Sequence, residues 1–338
     1  MDASHAALRG SICGNSASQP KLIPRMRNAL RVRRYSLKTE KAYIHWVKRY
    51  LRFHNMRHPQ EMGAHEVTAF LNHLASDRMV AGATQNQALA AMLFLYRHVL
   101  GVELPWLDDL VRAKTAKRLP TVLTVAEVQA ILAQLSGTRW LLVSLLYGAG
   151  LRLNECLSLR VKDIDLSSSR LLIRQGKGNK DRVTLLPHSL RPALSAHLAQ
   201  VKALHAAELA RGYGEVPLLL ALAGKYPRAG YQWAWQFIFP STNNCRDPYT
   251  GRWVRYHIHE KTLQRTVKEA ARRAGIVKPV GCHTFRHAFA THLLEAGHNM
   301  RVVQELMGHK DVETTMIYTH LMNNSLAAIR SPVDVLYT

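Results

Sequence analysis

The sequence predicts a mainly helical protein of two domains, with one small β-hairpin in the second domain. Apolar residues recur at helical spacing through most of the chain, and two short β-branched runs flank a Gly-rich, basic turn at 176–180. A basic segment at 111–120, which ends in Leu119-Pro120, separates the two helical regions. The length of 338 residues fits two domains.

The N-terminal residues are dominated by small and basic side chains. Residues 1–24 contain Ser, Gly and Ala without a continuous apolar run, so they predict a disordered leader rather than a signal peptide. Between Arg25 and Lys38 six cations accumulate, and Asp2 is the only acid before Glu40. This pattern favours an arm that contacts phosphates over the alternative of a solvated basic tail.

Residues 25–110 are predicted to form a helical domain. From Ser36 the apolar residues follow a helical stripe: Tyr43, Trp46, Val47, Tyr50 and Leu51. The aromatic stripe is more typical of a core than of a base-stacking surface. A second helix follows Pro59, and a third ends at Gly101. The basic segment 111–120 is then predicted to be a linker that can follow a DNA backbone.

The second domain is predicted to span 121–322 and to have a buried helix at its centre. Thr124 and Glu127 form a capping-box pattern, and the run from Trp140 to Tyr147 is almost wholly apolar. A glycine turn follows, and then Arg152 and Glu155 at a spacing that lets the carboxylate brace the guanidinium. Spacing alone leaves a functional arginine and an ordinary buried ion pair equally open.

Two strands, Arg170–Arg174 and Arg182–Leu186, predict a hairpin whose basic tip carries Lys177. The glycines suggest a nucleotide-binding P-loop, but the spacing G-x-x-x-x-G-K-[ST] is absent, so nucleotide binding is not expected. A long helix is predicted from Ser189 to Arg211.

The segment at about 213–257 differs from the rest of the chain, because aromatic residues alternate with Arg and Pro. Trp233, Trp235, Phe237 and Pro248 are examples. Such a composition suits the stacking of bases on rings. The alternative, in which the aromatics only bury an irregular insertion, remains open.

The segment from 283 to 318 carries residues suited to chemistry on a phosphodiester. Arg286 offers a fixed fork of donors for phosphate oxygens, His283 and His309 can donate or move a proton near neutral pH, and Tyr318 is an oxygen nucleophile. Helical spacing places His283 and Arg286 together, and Gly308 ends a helix beside His309. The tail 323–338 has a few apolar residues that would bury poorly alone.

Composition limits the classes of partner and cofactor. The chain has 46 Lys plus Arg against 23 Asp plus Glu, a formal charge of +23 that points to nucleic acid. No apolar run of ~18 residues suggests a membrane span. The four cysteines lack Cys-x-x-Cys spacing, which fits neither a disulfide framework nor a zinc site and is typical of the cytoplasm. Asp163-x-Asp165 is the one close acidic pair early in the second domain, and we expect it to be structural rather than a metal site.

Six residues occur in an order that resembles the tyrosine site-specific recombinases of the lambda-integrase class. They lie in Gly-Leu-Arg152-x-x-Glu155, Gly-Lys177-Gly-Asn-Lys, His283-Thr-Phe-Arg286-His287, Leu-Met-Gly-His309 and Ile-Tyr318-Thr-His. The resemblance, from about Tyr35 to Tyr318, implies a SAM-like helical core-binding domain and a catalytic domain that clamp DNA between them.

A second set of residues resembles the insertion that distinguishes integron integrases. It comprises Lys225-Tyr226-Pro227, the run from Trp235 to Pro240 and Asp247-Pro248-x-x-Gly251. The insertion implies that Trp235 and Pro248 contact bases flipped out of a folded single strand. The family often has His-His where this chain has Tyr256-His257, and a tyrosine can stack there but cannot become cationic.

The resemblance implies a role for each residue of the site. Tyr318 would attack the phosphorus to give a 3′-phosphotyrosyl bond, Arg152 and Arg286 would clamp the phosphate, and Lys177 would protonate the leaving 5′-oxygen. His283 would assist proton transfer, His309 would bind the phosphate, and Glu155 would support the site. No metal, ATP or other cofactor is implied.

The resemblance also implies the partners. They are a folded single-stranded cassette site, a double-stranded primary site and a homotetramer on paired sites in the bacterial cytoplasm, in which C-terminal tails dock into neighbouring subunits. Two alternatives stay open: a double-strand-specific recombinase of the phage or Xer type, and a catalytically idle DNA-binding protein on the same scaffold.

Overall fold

The computed structural model describes residues 21–104, 121–174, 181–218, 220–308 and 331–336. The chain divides into two compact units, 1–118 and 119–338, each with its own apolar core. The predicted linker 111–120 and the hairpin tip with Lys177 lie outside the described residues, as do His309 and Tyr318.

Over its described residues, 21–104, the first unit is a bundle of four α-helices, and its predicted helical character is confirmed. They are α1 (Leu22–Val32), α2 (Leu37–Phe53), α3 (Ala64–Ser76) and α4 (Gly82–Leu95). A 3-10 turn (Pro59–Glu61) precedes α3, and α4 runs into a π-helical turn (Tyr96–Leu100) that ends at the left-handed Gly101. The tyrosines of the predicted stripe face inward: Tyr50 is fully buried and shares a 2.8 Å hydrogen bond with the hydroxyl of Tyr96.

Helix α1 corrects the prediction for the N-terminal basic segment. It begins at Leu22, inside the predicted disordered leader, and a solvated basic tail is wrong for the residues that follow. Met26 and Leu30, four residues apart, are completely buried, which explains why the segment folds despite its charge. Arg27 and Arg31 also form ion pairs with Glu40 of α2, at 3.0 and 2.9 Å.

The second unit packs α-helices around the apolar helix α6 (Gly137–Gly148), which is buried from Leu141 to Gly148 as predicted. Outside the insertion, the other helices among the described residues of this unit are α5 (Val125–Leu132), α7 (Leu153–Ser158), α8 (Arg191–Ala210), α10 (Glu260–Arg273), α11 (Cys282–Glu295), α12 (Met300–Met307) and α13 (Pro332–Leu336). Helices α11 and α13 pack on α6. The predicted capping box starts α5, where Thr124 and Glu127 exchange hydrogen bonds.

The predicted hairpin is confirmed as part of a three-stranded antiparallel sheet. Strand β2 (Arg170–Ile173) pairs with β3 (Arg182–Leu185), so that Ile173 lies opposite Arg182. A further strand of two residues, β1 (Ile164–Asp165), pairs with β2. Strand β1 is not predicted from the sequence, because a run this short has no periodicity to detect.

The insertion between α8 and α10 is mostly irregular. It contains the short helix α9 (Leu220–Lys225), 3-10 turns at Ala229–Tyr231 and Trp233–Trp235, and the strands β4 (Cys245–Arg246) and β5 (Trp253–Val254). Arg255 fixes its fold, because it pairs with the buried Glu208 of α8 at 3.0 Å and donates to the carbonyls of Ser241 and Thr242.

The C-terminal segment 331–336 packs on the second unit. Ser331 donates a 2.6 Å hydrogen bond to the carbonyl of Gly148, and Val333 is fully buried beside that glycine. Asp334 accepts hydrogen bonds from the backbone and side chain of Ser189. The expectation that the apolar residues of the tail would bury poorly alone is therefore wrong for Val333.

Candidate active site and nucleic-acid interface

Three arginines surround one buried glutamate in the second unit. Arg152, Arg182 and Arg286 surround Glu155, and we call these four residues the Glu155 cluster. Arg152 precedes α7, Glu155 lies in its first turn, Arg182 opens β3 and Arg286 lies on α11. Three of these residues are predicted from the sequence, whereas Arg182 is not.

Hydrogen bonds fix the two arginines nearest the carboxylate. Arg152 donates to Glu155 through its side chain at 2.7 Å and its backbone N–H at 2.9 Å. Arg182 donates two parallel hydrogen bonds, at 2.9 and 2.6 Å, a bidentate geometry that fixes the plane of the guanidinium. The predicted brace of Arg152 by Glu155 is therefore present, and Arg182 completes it.

Arg286 is the most buried of the three, with 2% of its side chain exposed. Its guanidinium donates a 2.5 Å hydrogen bond to the carbonyl of Gly150 and another hydrogen bond to the carbonyl of Met307. One guanidinium nitrogen lies 3.8 Å from a carboxylate oxygen of Glu155. Burial, together with the charges of Arg152 and Arg182, lowers the pKa of Arg286 to about 9, so it stays cationic at neutral pH. Two backbone carbonyls therefore fix the position of this buried cation, which can attract an anion.

The end of α12 contributes three consecutive backbone carbonyls to the same arginines. Leu306 accepts from Arg182 at 2.9 Å, Met307 from Arg286, and Gly308 from Arg152 at 3.1 Å. The carbonyls at a helix C-terminus lack partners within the helix and carry partial negative charge, so they suit cations. Gly308 is left-handed, and a Cβ there would lie 2.7 Å from Cδ of Arg182, so the close approach requires glycine.

The charges of the Glu155 cluster do not cancel. Burial opposes ionisation of Glu155, but the hydrogen bonds from Arg182 and Arg152 outweigh it and bring its pKa to about 2. One carboxylate therefore faces three guanidinium groups, which leaves a net charge of +2. A buried excess of positive charge stabilises a bound anion, and also the extra charge of a phosphoryl-transfer transition state.

The imidazoles of α11 lie beside this positive charge. The rings of His283 and His287 are 5.5 Å apart. The pKa of His283 is lowered by partial burial and by the neighbouring His287, Arg286 and Arg152. His283 is therefore neutral near pH 7, with a ring nitrogen able to accept a proton.

Trp235 of the insertion contacts two cations. Nζ of Lys162 lies 2.8 Å from the centroid of the Trp235 ring, and the guanidinium of Arg160 lies 5.8 Å from it. Arg160 also stacks on Phe237, 4.3 Å away, and donates a hydrogen bond to the carbonyl of Trp235. The sequence analysis predicted Trp235 but neither cation, because both lie about 75 residues earlier in the chain.

Tyr256, His257 and Pro248 lie in one continuous part of the insertion. The Tyr256 hydroxyl donates to the buried Asp247, whose side chain also accepts from the backbone that follows the exposed Pro248. Burial and Asp247 raise the pKa of Tyr256 to about 12, so it stays a neutral phenol. The His257 ring meets Phe237 edge-on at 5.2 Å, which connects this part to the Trp235 side.

The two aspartates weighed as metal ligands have protein partners. Asp163 accepts from Arg174 at 2.8 Å and from the backbone of Arg160, and Asp165 accepts from Ser167 and Ser168. Over the parts of the chain that the structure describes, no group of three or more His, Cys, Asp or Glu side chains could hold a metal ion. Across the same ranges, no helix is both long and apolar enough to cross a membrane.

Two family models match the chain, one on each unit. Residues 121–325 match the phage integrase family, and residues 22–106 match the phage integrase N-terminal SAM-like domain. Proteins named integrase/recombinase from Escherichia coli and from Pseudomonas aeruginosa are each 47% identical over 94% of this chain and 94% of their own. Tyrosine recombinase XerD of Agrobacterium fabrum is 34% identical over 77% of both chains.

Solved structures support the same fold. A lambda integrase dimer bound to a COC′ core site matches with a TM-score of 0.57 and 17% identity, over 86% of this chain and 94% of that one. The XerH recombinase bound to its difH substrate matches with a TM-score of 0.55 and 20% identity, over 91% and 84%. The chain belongs to the phage integrase family of tyrosine recombinases, enzymes that break and rejoin DNA.

Proposed function

We propose that this protein is an integron-type integrase that joins a folded single-stranded cassette site to a double-stranded primary site through a 3′-phosphotyrosyl intermediate. The Glu155 cluster carries the chemical part of the proposal, because its three arginines and one carboxylate form a buried site with excess positive charge. The insertion is assigned the recognition of the folded single-stranded DNA.

Arg152 and Arg286 bind the non-bridging oxygens of the scissile phosphate. Each uses some of its five N–H donors on protein carbonyls and keeps others for a ligand. Because the donors are already fixed, they need little reorganisation when charge develops on the phosphate. Loss of one such donor typically costs ~3–4 kcal/mol of transition-state stabilisation.

Tyr318, Lys177 and His309 complete the site in this proposal. Tyr318 attacks the phosphorus, Lys177 protonates the leaving 5′-oxygen and His309 donates to the phosphate. The neutral His283 accepts the proton of the Tyr318 hydroxyl, whose ordinary pKa of about 10 requires such help near neutral pH. The phosphotyrosyl bond conserves the energy of the broken phosphodiester, so rejoining needs neither ATP nor a metal.

Recognition of the folded strand is assigned to the insertion. An extrahelical base stacks on Trp235, and a second packs on Pro248 near Tyr256 and His257. The partly exposed Trp235 and the exposed Pro248 are compatible with that role. A homotetramer on paired sites provides four active sites. A C-terminal segment that docks into a neighbouring subunit must first lose its contact with Gly148.

A double-strand-specific recombinase is the second candidate, and the 34% identity to a XerD recombinase favours it. In that case the insertion is only structural, with Arg160, Phe237 and His257 packed as an ordinary core. The two candidates share the chemistry and differ in the DNA that they bind.

A trapping assay tests the chemistry. The suicide substrate has a nick close to the cleavage point, so that cleavage releases a short fragment that carries the free 5′-hydroxyl. Once this fragment diffuses away, rejoining is prevented and the wild-type protein should stay covalently attached to the DNA. Tyr318→Phe should bind the same DNA and form no adduct. An adduct with Tyr318→Phe would contradict the assignment of the nucleophile, and absence of an adduct with the wild type would favour an idle DNA-binding protein.

The Trp235→Ala variant tests the choice of substrate. Loss of the stack should weaken binding to the folded bottom strand by ~1–3 kcal/mol, while binding to a perfect duplex is retained. Phe237→Leu, which alters a buried neighbour of Trp235, is the matched control for disruption of the insertion. Equal loss on both DNAs would support the second candidate.

A further inference from the structure

A lysine from outside the insertion lies on the Trp235 ring. Lys162 belongs to a 3-10 turn (Val161–Asp163) that packs against the turn Trp233–Trp235. Its Nζ is 2.8 Å from the ring centroid, over the face of the indole, and both residues are partly exposed. A cation over an indole face is attracted by the electron-rich ring, at roughly 0.5–1 kcal/mol in an exposed position.

The neighbouring cations have protein partners. Arg160 donates to the carbonyls of Trp235 and Pro217, at 2.5 and 2.8 Å, and Arg174 pairs with Asp163 at 2.8 Å. Lys162 differs, since the structure gives its ammonium no hydrogen bond or ion pair with any described residue. Three cations therefore stand beside the single carboxylate of Asp163, and of these three only the ammonium of Lys162 has neither a hydrogen bond nor an ion pair with a described residue.

The local environment resists that charge. Partial burial and the nearby Arg174 lower the pKa of Lys162 to about 8, while Asp163 acts in the opposite direction. At neutral pH the ammonium is still mostly protonated, so it remains a cation without an anionic partner. An anion bound here would offset the electrostatic repulsion between Lys162 and Arg174. It would also accept hydrogen bonds from the ammonium of Lys162.

We propose that Lys162 is a specificity-determining residue that binds the backbone phosphate of the nucleotide whose base stacks on Trp235. A nucleotide that places its base on the indole brings a phosphate within reach of the flexible lysine stem. Lys162 then leaves the ring face and pairs with that phosphate, while Arg160 keeps the indole in place. A perfect duplex has no extrahelical base, so it places no phosphate there.

This inference rests on the proposed recognition of a folded strand by Trp235. The test compares Lys162→Gln with the wild type, measuring the dissociation constant for the folded bottom strand and for a perfect duplex over a series of salt concentrations. Lys162→Gln should weaken folded-strand binding roughly tenfold at low salt, as expected for loss of a charge-assisted contact. The slope of log affinity against log salt should fall by roughly 0.7–0.9 on that DNA alone.

Two variants control for charge and for folding. Lys202→Gln removes the same charge from an exposed position on α8, and it should affect the two DNAs equally or not at all. Lys162→Arg keeps a cation at the site, so it should retain the wild-type salt slope on the folded strand even if its affinity changes. Thermal denaturation of each variant separates a binding effect from misfolding.

The outcomes separate this inference from the proposal beneath it. If Trp235→Ala shows no selective loss on the folded strand, the proposed recognition fails, whatever Lys162→Gln does. If Trp235→Ala is selective and Lys162→Gln changes neither DNA, or both equally, only the phosphate contact is overturned. Tighter folded-strand binding by Lys162→Gln would also overturn it, because Lys162 would then compete with the base for the ring.

Discussion

Each unit of the protein gathers arginines around a buried glutamate, but the two groups differ in burial and in balance. In the first unit Glu40 binds Arg27 and Arg31, whose side chains are 47% and 48% exposed. In the second unit Glu155 faces Arg152, Arg182 and Arg286, which are 20%, 10% and 2% exposed. The glutamate side chains themselves are equally buried, at 8%.

The difference teaches what turns an ion pair into an anion-binding site. The arginines of α1 keep about half of their contact with water, so Glu40 joins two helices and little charge remains unsolvated. The arginines around Glu155 have lost that water and received backbone carbonyls instead, which do not neutralise charge. Their remaining attraction for an anion is therefore stronger than that of the exposed arginines in α1.

The largest expected effect is on stability, and it compares substitution of Glu155 with substitution of Glu40. Glu155→Ala should lower the free energy of unfolding of the second unit by about 3–5 kcal/mol, because it leaves buried guanidinium groups without a carboxylate. Glu40→Ala should cost the first unit only about 1 kcal/mol, since water can solvate Arg27 and Arg31. Calorimetry on the intact chain measures both, and similar losses would contradict the comparison.

The next effect is on catalysis and concerns Arg182, which shapes the site without an assigned role at the phosphate. Arg182→Met should slow formation of the covalent adduct roughly 10²-fold, as misplacement of a catalytic group does, because Glu155 and the end of α12 lose their shared partner. Arg31→Met is the matched control in the first unit and should leave the cleavage rate unchanged. Equal rates for the two variants would mean that Arg182 is not needed to position the site.

The smallest effect is a pH dependence, which reports the burial of His283 and the positive charges beside it. Partial burial, His287 and the two arginines lower the pKa of His283, so its neutral form persists to more acidic pH than that of an ordinary histidine. The cleavage rate should therefore stay level around neutral pH and decline only below about 6.5. His283→Asn should abolish that decline, whereas His287→Asn should keep it and move it to higher pH. A decline that begins above pH 7 would show that burial and the neighbouring charges do not lower the pKa of His283.

Much of the fold could be predicted because the local signals agreed with one another. The capping box at Thr124, the apolar run of α6 and the two strands of the hairpin each combine periodicity with a matching boundary. Helix α1 was missed because its density of arginine suggested an arm, although Met26 and Leu30 already had helical spacing. Strand β1 was missed because two residues show no pattern.

The candidate site was predicted in part, for a physical reason. Arg152 and Glu155 are near neighbours in the chain, and spacing is enough to suggest their contact. Arg182 meets its carbonyl partner 124 residues further on, and Lys162 meets Trp235 about 75 residues further on, so these contacts follow from tertiary structure alone. The expected roles of Lys177, His309 and Tyr318 remain predictions.

The three carbonyls at the end of α12 restrict the length of this helix during evolution. Leu306, Met307 and Gly308 each serve a different arginine, and successive residues of an α-helix are about 100° apart around its axis. Deletion or insertion of a single residue within α12 would rotate all three carbonyls away from their arginines at once. Substitutions on the outer face of α12 should be tolerated far better than any change in its length.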